Sequence, residues 1–571
     1  MGTYTAADAL IESLHSAGVS YIFTNLGTDH PALIESWAKS SVNHLPMPEI
    51  IICPHETVAL SAALGYAQVT GRAQAVIVHV DVGTQNLGGA VHNAARGRVP
   101  VFIFAGASSF TIEGELPASR TDYIQFIQDV YDQRGVVRGY TKWDYEIKTG
   151  KNVQKLVHRA MQIANSEPKG PVYLVGAREV LEEESIKLPT DLTKWNPISP
   201  AALSQADVKK IAEACLEAKN PLVITSYLGR NEPAVDELVA FSERLAIPVV
   251  EVSPSYMNFP SSNPLHLGFS RNAYIDEADV VIVIDCDLPW IPLKGGPRDT
   301  ARVFYMDVDP LKQDLPLWYI PSEQFYQVNS LVALQQLNQF LSGAQLNRSG
   351  IEVRRQRVSQ EHARLRDTWK REVTTPSEVI TPEYLTACLA ELIDDDTVVI
   401  NETCAKNAVA VTHHLARNQP GTLVTSGGSS LGWGGGAAIG AKLAHPDKTV
   451  VCVTGDGAFI FSCPTAVYWA SRRYNAPFLT IIYNNQGWEA PRQATLRVHP
   501  DGVSRQHNRY WNDFEPGAAL DSVAHAAGGA LAIPVVQVCE VKDAIRRGLE
   551  AVKNGTSAVV NVMLEPVSTT V

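Results

Sequence analysis

The sequence has little cysteine, no excess of positive charge and no long apolar run. Its 571 residues include eight cysteines, none of them in a C-x-x-C pair. This scarcity argues against a disulfide framework and against zinc knuckles, and it is typical of a reducing compartment. Lysine and arginine number 48 against 60 aspartates and glutamates, which gives a net charge of −12. That balance argues against a nucleic-acid partner.

Targeting signals are also missing from the amino-terminal stretch. The opening MGTYTAADALIESL lacks the basic segment and apolar core of a signal peptide and predicts a helix instead. No apolar run reaches the roughly 18 residues that indicate a transmembrane helix. We therefore expect a cytoplasmic protein that does not span a membrane.

Short β-branched runs alternate with amphipathic helical stretches along the whole chain. This alternation predicts βαβ units and parallel sheets that are buried on both faces. Because the rhythm recurs three times, we predict an α/β fold made of three doubly wound parallel-sheet domains. The predicted strands are residues 21–24, 49–53, 75–80, 100–105, 171–175, 221–225, 248–252, 279–284, 303–307, 397–400, 449–453, 478–483 and 558–563.

Two polar stretches divide the chain. Residues 187–200 (KLPTDLTKWNPISP) contain three prolines and predict a linker. Residues 342–381 have few strand-like runs and include a charged helical block, 353–372, whose charges we interpret as a solvated face. The predicted domains are therefore residues 1–186, 200–342 and 376–571.

Two polar turns follow predicted strands in the last third of the chain. Gly455, Asp456 and Gly457 follow one strand, and Asn484 and Asn485 follow the next. Asp456 and Asn485 are 29 residues apart. Each turn alone is compatible with residues chosen for backbone geometry. Together, at the ends of two strands of an open parallel sheet, they predict a ligand site.

The residue types in these turns suit a divalent cation held against a diphosphate. Asp456 offers a carboxylate, Asn485 a carbonyl oxygen and Gly487 a backbone carbonyl, which are the oxygen ligands that Mg²⁺ prefers. Small residues at a helix start let backbone N–H groups approach phosphates. We therefore predict metal ligands at Asp456, Asn485 and Gly487, and cofactor contacts at Gly455, Gly457 and Ala458.

This pattern resembles the signature of the thiamine diphosphate (ThDP) enzymes, and the resemblance covers essentially the whole chain. It implies ThDP and Mg²⁺ as cofactors. It implies a pyrimidine-binding domain at 1–186, a central α/β domain at 200–342 and a diphosphate- and magnesium-binding domain at 376–571. Because the family builds its site across a subunit interface, the resemblance also implies self-association as a dimer or tetramer.

The resemblance assigns further residues to the cofactor. Glu56 opens a small-residue helix after a strand and corresponds to the glutamate that bonds the N1′ nitrogen of the aminopyrimidine. In the loop 426–432, Leu431 corresponds to the apolar wedge between the two cofactor rings, and the Ser429 carbonyl would face the 4′-amino group. Gly428 belongs to the same loop. Asn401 lies in a segment that resembles a loop bordering the diphosphate.

The sequence resembles two branches of the family. His79 follows Glu56 by 23 residues, as in benzoylformate decarboxylase, and Thr28 lies in a loop similar to that enzyme's substrate loop. The domain order and the stretches YTKWDYEI and PKGPVYLV equally resemble the acetolactate synthases. His79 is either an acid–base residue or a core histidine; histidine suits proton transfer near neutral pH. Trp488 either lines the substrate pocket or is a packed aromatic.

The resemblance implies an enzyme that cleaves or forms carbon–carbon bonds of 2-oxo acids. Loss of CO₂ would give an enamine, which is then protonated or joined to an acceptor carbonyl compound, as in acetolactate synthases. A 2-hydroxyacyl-CoA lyase is one alternative, although the eight residues after 558–563 leave little chain for a lid over CoA. A catalytically dead regulatory or binding homologue is another, although Glu56, Asp456 and Asn485 are all intact.

The central domain binds FAD in acetolactate synthases. Here residues 225–230 (TSYLGR) follow the first strand of the middle third and offer one glycine. A dinucleotide-binding loop would need several. FAD is therefore doubtful, and a purely structural central domain is favoured.

Overall fold

In the computed structural model, which describes residues 3–189, 191–270, 272–374 and 378–568, the first third of the chain forms a six-stranded parallel sheet. Its strands are β1 (Tyr21–Thr24), β2 (Glu49–Ile52), β3 (Gln74–Val78), β4 (Val101–Ala107), β5 (Trp143–Ile147) and β6 (Val172–Ala177). Its helices are α1 (Ala6–Ser16), α2 (Pro31–Val42), α3 (Glu56–Thr70), α4 (Val80–Arg96), α5 (Ile124–Ile127), α6 (Val153–Asn165) and α7 (Arg178–Glu182). The strand order is β2-β1-β3-β4-β6-β5.

The middle third forms a five-stranded parallel sheet. Its strands are β7 (Pro221–Thr225), β8 (Val249–Glu251), β9 (Val280–Ile284), β10 (Arg302–Asp307) and β11 (Gln324–Gln327), in the order β11-β10-β9-β7-β8. Its helices are α8 (Gln205–Glu217), α9 (Glu232–Leu245) and α10 (Ser330–Ser342). The long helix α11 (Arg348–Glu372) then leads to the last third. Its charges are mostly exposed, but Arg354, Val358 and Trp369 are buried, so one face of the predicted solvated helix is packed.

The last third forms a second six-stranded parallel sheet. Its strands are β12 (Val398–Glu402), β13 (Leu423–Val424), β14 (Val450–Gly455), β15 (Leu479–Asn484), β16 (Leu531–Val535) and β17 (Ala558–Met563). Its helices are α12 (Pro382–Leu392), α13 (Ala405–His414), α14 (Gly434–Ala444), α15 (Asp456–Phe461), α16 (Pro464–Arg473), α17 (Glu489–Val498), α18 (Val503–Gln506), α19 (Leu520–Gly528) and α20 (Val541–Lys553). The order β13-β12-β14-β15-β17-β16 repeats the connectivity of the first sheet.

The predicted fold class is confirmed: three α/β parallel-sheet domains follow one another along the chain. Each predicted strand is present within a few residues, but β5, β11, β13 and β16 were not predicted. The strand predicted at 75–80 ends at Val78, and α4 begins at Val80 directly after His79. The domain limits stay predictions, and the ends of the ranges 1–186 and 376–571 include positions outside the described residues.

Two helices of small residues join the first and third domains. α3 is buried along almost its whole length and packs against α14. A Cβ at Gly440 would lie 1.9 Å from the Ala62 carbonyl oxygen, and one at Gly65 would lie 2.3 Å from the Ala437 carbonyl oxygen. Glycine at both positions therefore allows the two backbones to touch. This contact fixes the start of α3, where Glu56 lies, relative to the third domain.

Candidate active site

A cavity of about 450 Å³ opens at the carboxyl ends of β14 and β15. Ligands of open parallel sheets bind at this edge, where the strands end in loops. All the residues that line the cavity lie between positions 379 and 567. Those named by the sequence analysis are Gly455, Asp456, Gly457, Ala458, Asn485, Gly487, Trp488, Ser429 and Leu431.

Asp456 is a buried carboxylate that lines this cavity. It is 3% exposed and accepts hydrogen bonds from the backbone N–H groups of Gly457 (2.8 Å) and Gly487 (2.9 Å). Burial raises the pKa of Asp456 to about 6 in spite of these bonds. No lysine, arginine or histidine pairs with it in the described part of the chain. The charged form therefore has room for, and would be stabilised by, a cation.

Asn485 and Gly487 lie beside Asp456 because the turn after β15 is tight. Gln486 between them has a left-handed φ of 56°, and its N–H donates to Asn484 Oδ1 at 3.1 Å. The backbone carbonyl of Asn485 accepts a hydrogen bond from Val567 N–H at 2.9 Å. Two potential oxygen ligands, the Asn485 amide and the Gly487 carbonyl, thus share the cavity with the Asp456 carboxylate. This donor set suits Mg²⁺.

Trp488 covers the start of α15. A Cβ at Gly457 would lie 2.3 Å from Trp488 Nε1, so only glycine fits beneath the indole. The ring meets Phe514 edge to face, with centroids 4.7 Å apart, and remains 40% exposed. Trp488 is therefore both a packed aromatic and a wall of the cavity.

The loop before α14 is held by a residue that the sequence analysis did not single out. Glu402, at the end of β12, accepts backbone hydrogen bonds from Gly432, from Trp433 (3.0 Å) and from Gly434 (3.0 Å). Burial raises the pKa of Glu402 to about 7. These hydrogen bonds fix the loop that carries Leu431. Glu402 also lines the cavity.

Two residues predicted to contact the cofactor are not among those lining this cavity. Asn401 turns its side chain to Thr403, whose N–H donates to Asn401 Oδ1 at 3.0 Å. Gly428 lies against the first domain, where an added Cβ would be 2.4 Å from Asn93 Oδ1. Ser429 lines the cavity and also donates its N–H to His92 Nε2 at 3.2 Å.

Glu56 belongs to a second polar cluster, in the first domain. It begins α3, is 6% exposed and accepts a hydrogen bond from Asn86 Nδ2 at 3.1 Å through Oε2. Gly83 lies on its other side, where an added Cβ would be 3.2 Å from Glu56 Oε1. Asn86 was missed because it is 30 residues away in the sequence, on another helix.

His79 forms a pair with Asp29, which the sequence analysis also missed. His79 Nδ1 is hydrogen-bonded to Asp29 Oδ1, and Asp29 Oδ2 accepts from Val80 N–H at 3.1 Å. Burial alone would lower the pKa of His79, but the hydrogen bond and charge of Asp29 raise it overall. Thr28 precedes Asp29 and is exposed, so its loop borders the histidine. Asp29 is fully buried and also lies 3.2 Å from His30 Nε2.

Comparison with known proteins identifies the family. Residues 4–134 match the family model for the thiamine pyrophosphate enzyme N-terminal TPP binding domain, 208–314 the central domain and 404–562 the C-terminal TPP binding domain. The chain belongs to the thiamine pyrophosphate enzymes. The predicted resemblance to the ThDP enzymes is confirmed, since all three domains of the family are matched in their order along the chain.

Among curated relatives, the enzyme is 25% identical over 508 residues to an acetolactate synthase large subunit of Haemophilus influenzae, covering 85% of this chain and 83% of that protein. It is 23% identical over 589 residues to a probable acetolactate synthase large subunit of Methanocaldococcus jannaschii, covering 98% and 92%. A ThDP-dependent 4-hydroxybenzoylformate decarboxylase of Rhodococcus jostii superposes with a TM-score of 0.77 at 21% identity, covering 98% and 99%. At that identity the superposition shows a shared fold.

The first domain of this thiamine pyrophosphate enzyme exposes many apolar side chains between residues 110 and 140. Tyr131 is fully exposed, Tyr123 is 74% exposed and Phe110 is 60% exposed. Further exposed apolar side chains of the segment are Ile112, Phe126 and Ile127. No helix in the described ranges is long and apolar enough to cross a membrane.

Charged side chains fill the corresponding edge of the central sheet. Lys312 Nζ, fully buried, donates to Asp307 at 2.6 Å and to the Tyr227 hydroxyl at 2.7 Å, and lies 2.9 Å from Asp287. Arg98 of the first domain pairs with Asp287 at 2.7 Å. The ends of β7, β9 and β10 are thus occupied by an ionic network that also joins two domains.

Proposed function

We propose that this thiamine pyrophosphate enzyme binds ThDP and Mg²⁺ and cleaves or forms carbon–carbon bonds of 2-oxo acids. The observation that carries the proposal is Asp456: a buried carboxylate bonded to backbone N–H groups, with Asn485 and Gly487 beside it in one cavity. These three residues would bind Mg²⁺. The cation would balance the Asp456 charge and leave positions for diphosphate oxygens.

The remaining lining residues have roles that follow from their places. Gly455, Gly457 and Ala458 would present backbone groups to the diphosphate, and Leu431 with Ser429 would hold the rings. When bound, ThDP supplies the electron sink that carbon–carbon cleavage next to a carbonyl needs. Asn401 and Gly428 would support the site indirectly, Asn401 by fixing the turn before Cys404 and Gly428 through its contact with Asn93.

Glu56 would hold the proton that activates the cofactor. Its Oε2 is occupied by Asn86, which leaves Oε1 to share a proton with the pyrimidine nitrogen. Burial of Glu56 excludes competing water from that hydrogen bond.

Two copies of the chain would complete the site. The residues that line the cavity lie between 379 and 567, whereas Glu56 and His79 belong to the first domain. The exposed apolar segment at 110–140 gives a surface for association. We therefore propose a dimer or tetramer in which Glu56 of one protomer faces Asp456 of its partner.

His79 would place a proton on the reaction product or hold the substrate carboxylate. Asp29 binds Nδ1 and, together with the Gln128 side chain, favours the protonated ring, whose Nε2 would carry the proton to be transferred. Thr28 and Trp488 would line the substrate pocket. A positioned acid favours release of an aldehyde, whereas a second carbonyl substrate would give a ligated product, as the acetolactate synthase relatives suggest.

The central domain would be structural. A dinucleotide at this edge of a doubly wound sheet needs an open crevice. Here Lys312, Asp307 and Tyr227 occupy that position and are buried. These residues do not fit FAD, and the network would instead hold the first and central domains together.

The test removes the metal ligand. Loss of a group that merely supports a metal ligand costs roughly 10–100-fold in metal affinity, so Asp456→Ala should weaken Mg²⁺-dependent ThDP binding by at least about 100-fold. Calorimetry would measure the binding, and CO₂ release from aliphatic and aromatic 2-oxo acids would measure the activity. Asp501→Ala is the matched control, since Asp501 is 97% exposed in the same domain.

The outcomes separate the alternatives. Unchanged ThDP affinity in Asp456→Ala would reject the metal assignment. Tight ThDP binding by the wild-type protein without any turnover would indicate a catalytically dead homologue. Cleavage of 2-hydroxyacyl-CoA thioesters, with no CO₂ from any 2-oxo acid, would indicate the lyase.

A further inference from the structure

Two helix ends outside the proposed active site bring three metal-binding side chains together. Glu372 is the last residue of α11, and His413 and His414 are the last two of α13. One ligand atom from each residue lies within 4.8 Å of the other two. No other three His, Cys, Asp or Glu side chains in the described ranges are grouped this closely.

The distances within the cluster suit metal ligation. His413 Nδ1 lies 3.4 Å and His414 Nε2 lies 3.5 Å from the same oxygen, Glu372 Oε2. Charge-assisted N–H···O bonds are shorter, about 2.7–2.9 Å. With metal–ligand bonds of about 2.0–2.2 Å, neighbouring ligands of a tetrahedral Zn²⁺ lie roughly 3.3–3.6 Å apart. Both separations, 3.4 and 3.5 Å, fall in that range.

His414 is prepared to act as a ligand. Its side chain is 5% exposed, and within the described residues its Nε2 is buried without a hydrogen-bond partner. A buried, unsatisfied ring nitrogen is costly unless something binds it.

The other two ligands are held and accessible. The His413 ring stacks on Trp369 with centroids 4.5 Å apart and an interplanar angle of 19°, and Phe269 lies 6.4 Å away in a similar plane. This stacking fixes the direction of Nδ1. Glu372 is 40% exposed, so a cation can reach the cluster from solvent.

We propose that Glu372, His413 and His414 bind a divalent transition-metal cation of the Zn²⁺ type, with water as the fourth ligand. Two imidazoles and one carboxylate suit Zn²⁺, whereas Mg²⁺ prefers oxygen ligands alone. The metal joins the end of α11 to α13. Because Ala405, Lys406 and Asn407 at the start of α13 line the active-site cavity, the metal also stiffens one wall of that cavity.

The experiment measures Zn²⁺ binding to the full-length protein by calorimetry, with Mg²⁺ and ThDP in excess to fill the cofactor site. One Zn²⁺ per chain is expected. His414→Gln and Glu372→Gln should each weaken binding at least tenfold, and a Zn²⁺-dependent rise of the melting temperature should disappear with it. His499→Gln, an exposed histidine of the same domain, should bind Zn²⁺ as the wild type does.

A second measurement does not depend on how the variants fold. Co²⁺ added to the wild-type protein should give the intense visible absorption of a four-coordinate site, and Zn²⁺ should abolish it. Failure of the wild type to bind Zn²⁺ would overturn the proposal and leave an ordinary histidine–glutamate cluster. Undiminished binding in both His414→Gln and Glu372→Gln would equally overturn it.

Discussion

The central and C-terminal sheets both end in buried carboxylates but neutralise them in different ways. In the central domain, Asp307 pairs with buried Lys312, and Asp287 pairs with Lys312 and Arg98. In the C-terminal domain, Asp456 accepts hydrogen bonds from backbone N–H groups. The same edge of the same kind of sheet is therefore filled by the chain's own cations in one domain and left open in the other.

The difference teaches where a ligand belongs. The charge of a buried carboxylate that pairs with a lysine is neutralised within the protein. Removing the lysine would leave an unpaired charge in the interior. A buried carboxylate that is bonded only to amides has no cation beside it, and burial raises its pKa in spite of those bonds, as at Asp456. An external cation relieves that cost. Fold alone does not make a cofactor site; an uncompensated charge beside a cavity distinguishes it.

Removing Lys312 from the ionic network of the central domain should have the largest effect, and this effect is on stability. Lys312→Met leaves Asp307 buried without its cation, and removal of one partner from a buried pair costs about 3–5 kcal/mol. We expect the first thermal transition to fall sharply while the affinity for ThDP and Mg²⁺ stays the same. Lys294→Met is the control, since Lys294 is exposed. A full-stability Lys312→Met protein would contradict the structural role of the network.

The first domain also has a carboxylate at the end of a strand, Asp29, whose partner is the titratable base His79 that follows β3. His79→Ala removes the group that Asp29 orients. A positioned acid is worth roughly 10²–10⁴-fold in a proton-transfer step, so aldehyde release should slow by at least about 100-fold. Single-turnover measurement should show CO₂ loss slowed much less, with ligated product rising when an aldehyde is added.

Gln serves as the matched replacement for that experiment. His79→Gln retains a hydrogen bond to Asp29 without an exchangeable ring proton, so it should behave like His79→Ala in aldehyde release. Equal slowing of CO₂ loss and aldehyde release would instead assign His79 to the substrate carboxylate. If wild-type protein already forms mostly ligated product, little change in the product ratio is expected.

The sequence predicted every inner strand and the sheet edge at which the cavity opens, and the strands that it missed share a physical cause. The missed strands β5, β11, β13 and β16 all lie at sheet edges. Their residues are partly exposed, as in the pattern of β11, so they lack the continuous apolar runs that revealed the buried strands. Edge strands are specified by their neighbours more than by their own composition.

The missed site residues have a related explanation. Asp29 is 50 residues from His79, and Glu402 is 30 residues from the loop it holds, so neither pairing is visible as a motif. The prediction that Asp456 and Asn485 lie together agrees with their place in one cavity, because each directly follows a strand of the same sheet. Sequence spacing therefore predicts residues placed by topology, but not those placed by packing between helices and loops.

The affinity of the C-terminal domain for Mg²⁺ should depend on pH. Protons and Mg²⁺ compete for Asp456, whose pKa burial raises to about 6. Mg²⁺ affinity should therefore be flat above that pH and fall about tenfold per pH unit below it. Calorimetric titration at fixed ThDP between pH 5 and 8 would measure this. A pH-independent affinity would mean that Asp456 is not a ligand.

The contribution of the central domain to stability should fall as the pH rises, whereas Mg²⁺ affinity should increase. This is the smallest effect that we expect. Asp285, after β9, is buried, and burial raises its pKa to about 7. A carboxyl whose folded pKa is raised contributes stability at low pH and loses it as the pH rises through the folded value. Asp285→Asn mimics the neutral form at every pH. Wild-type stability should therefore fall relative to Asp285→Asn by about 1 kcal/mol between pH 6 and pH 7 and change little above pH 8.

Urea midpoints would measure this, with exposed Asp314→Asn as the control. Parallel stability curves for wild type and Asp285→Asn would mean that a neighbouring cation already compensates this carboxylate, as Lys312 does for Asp307.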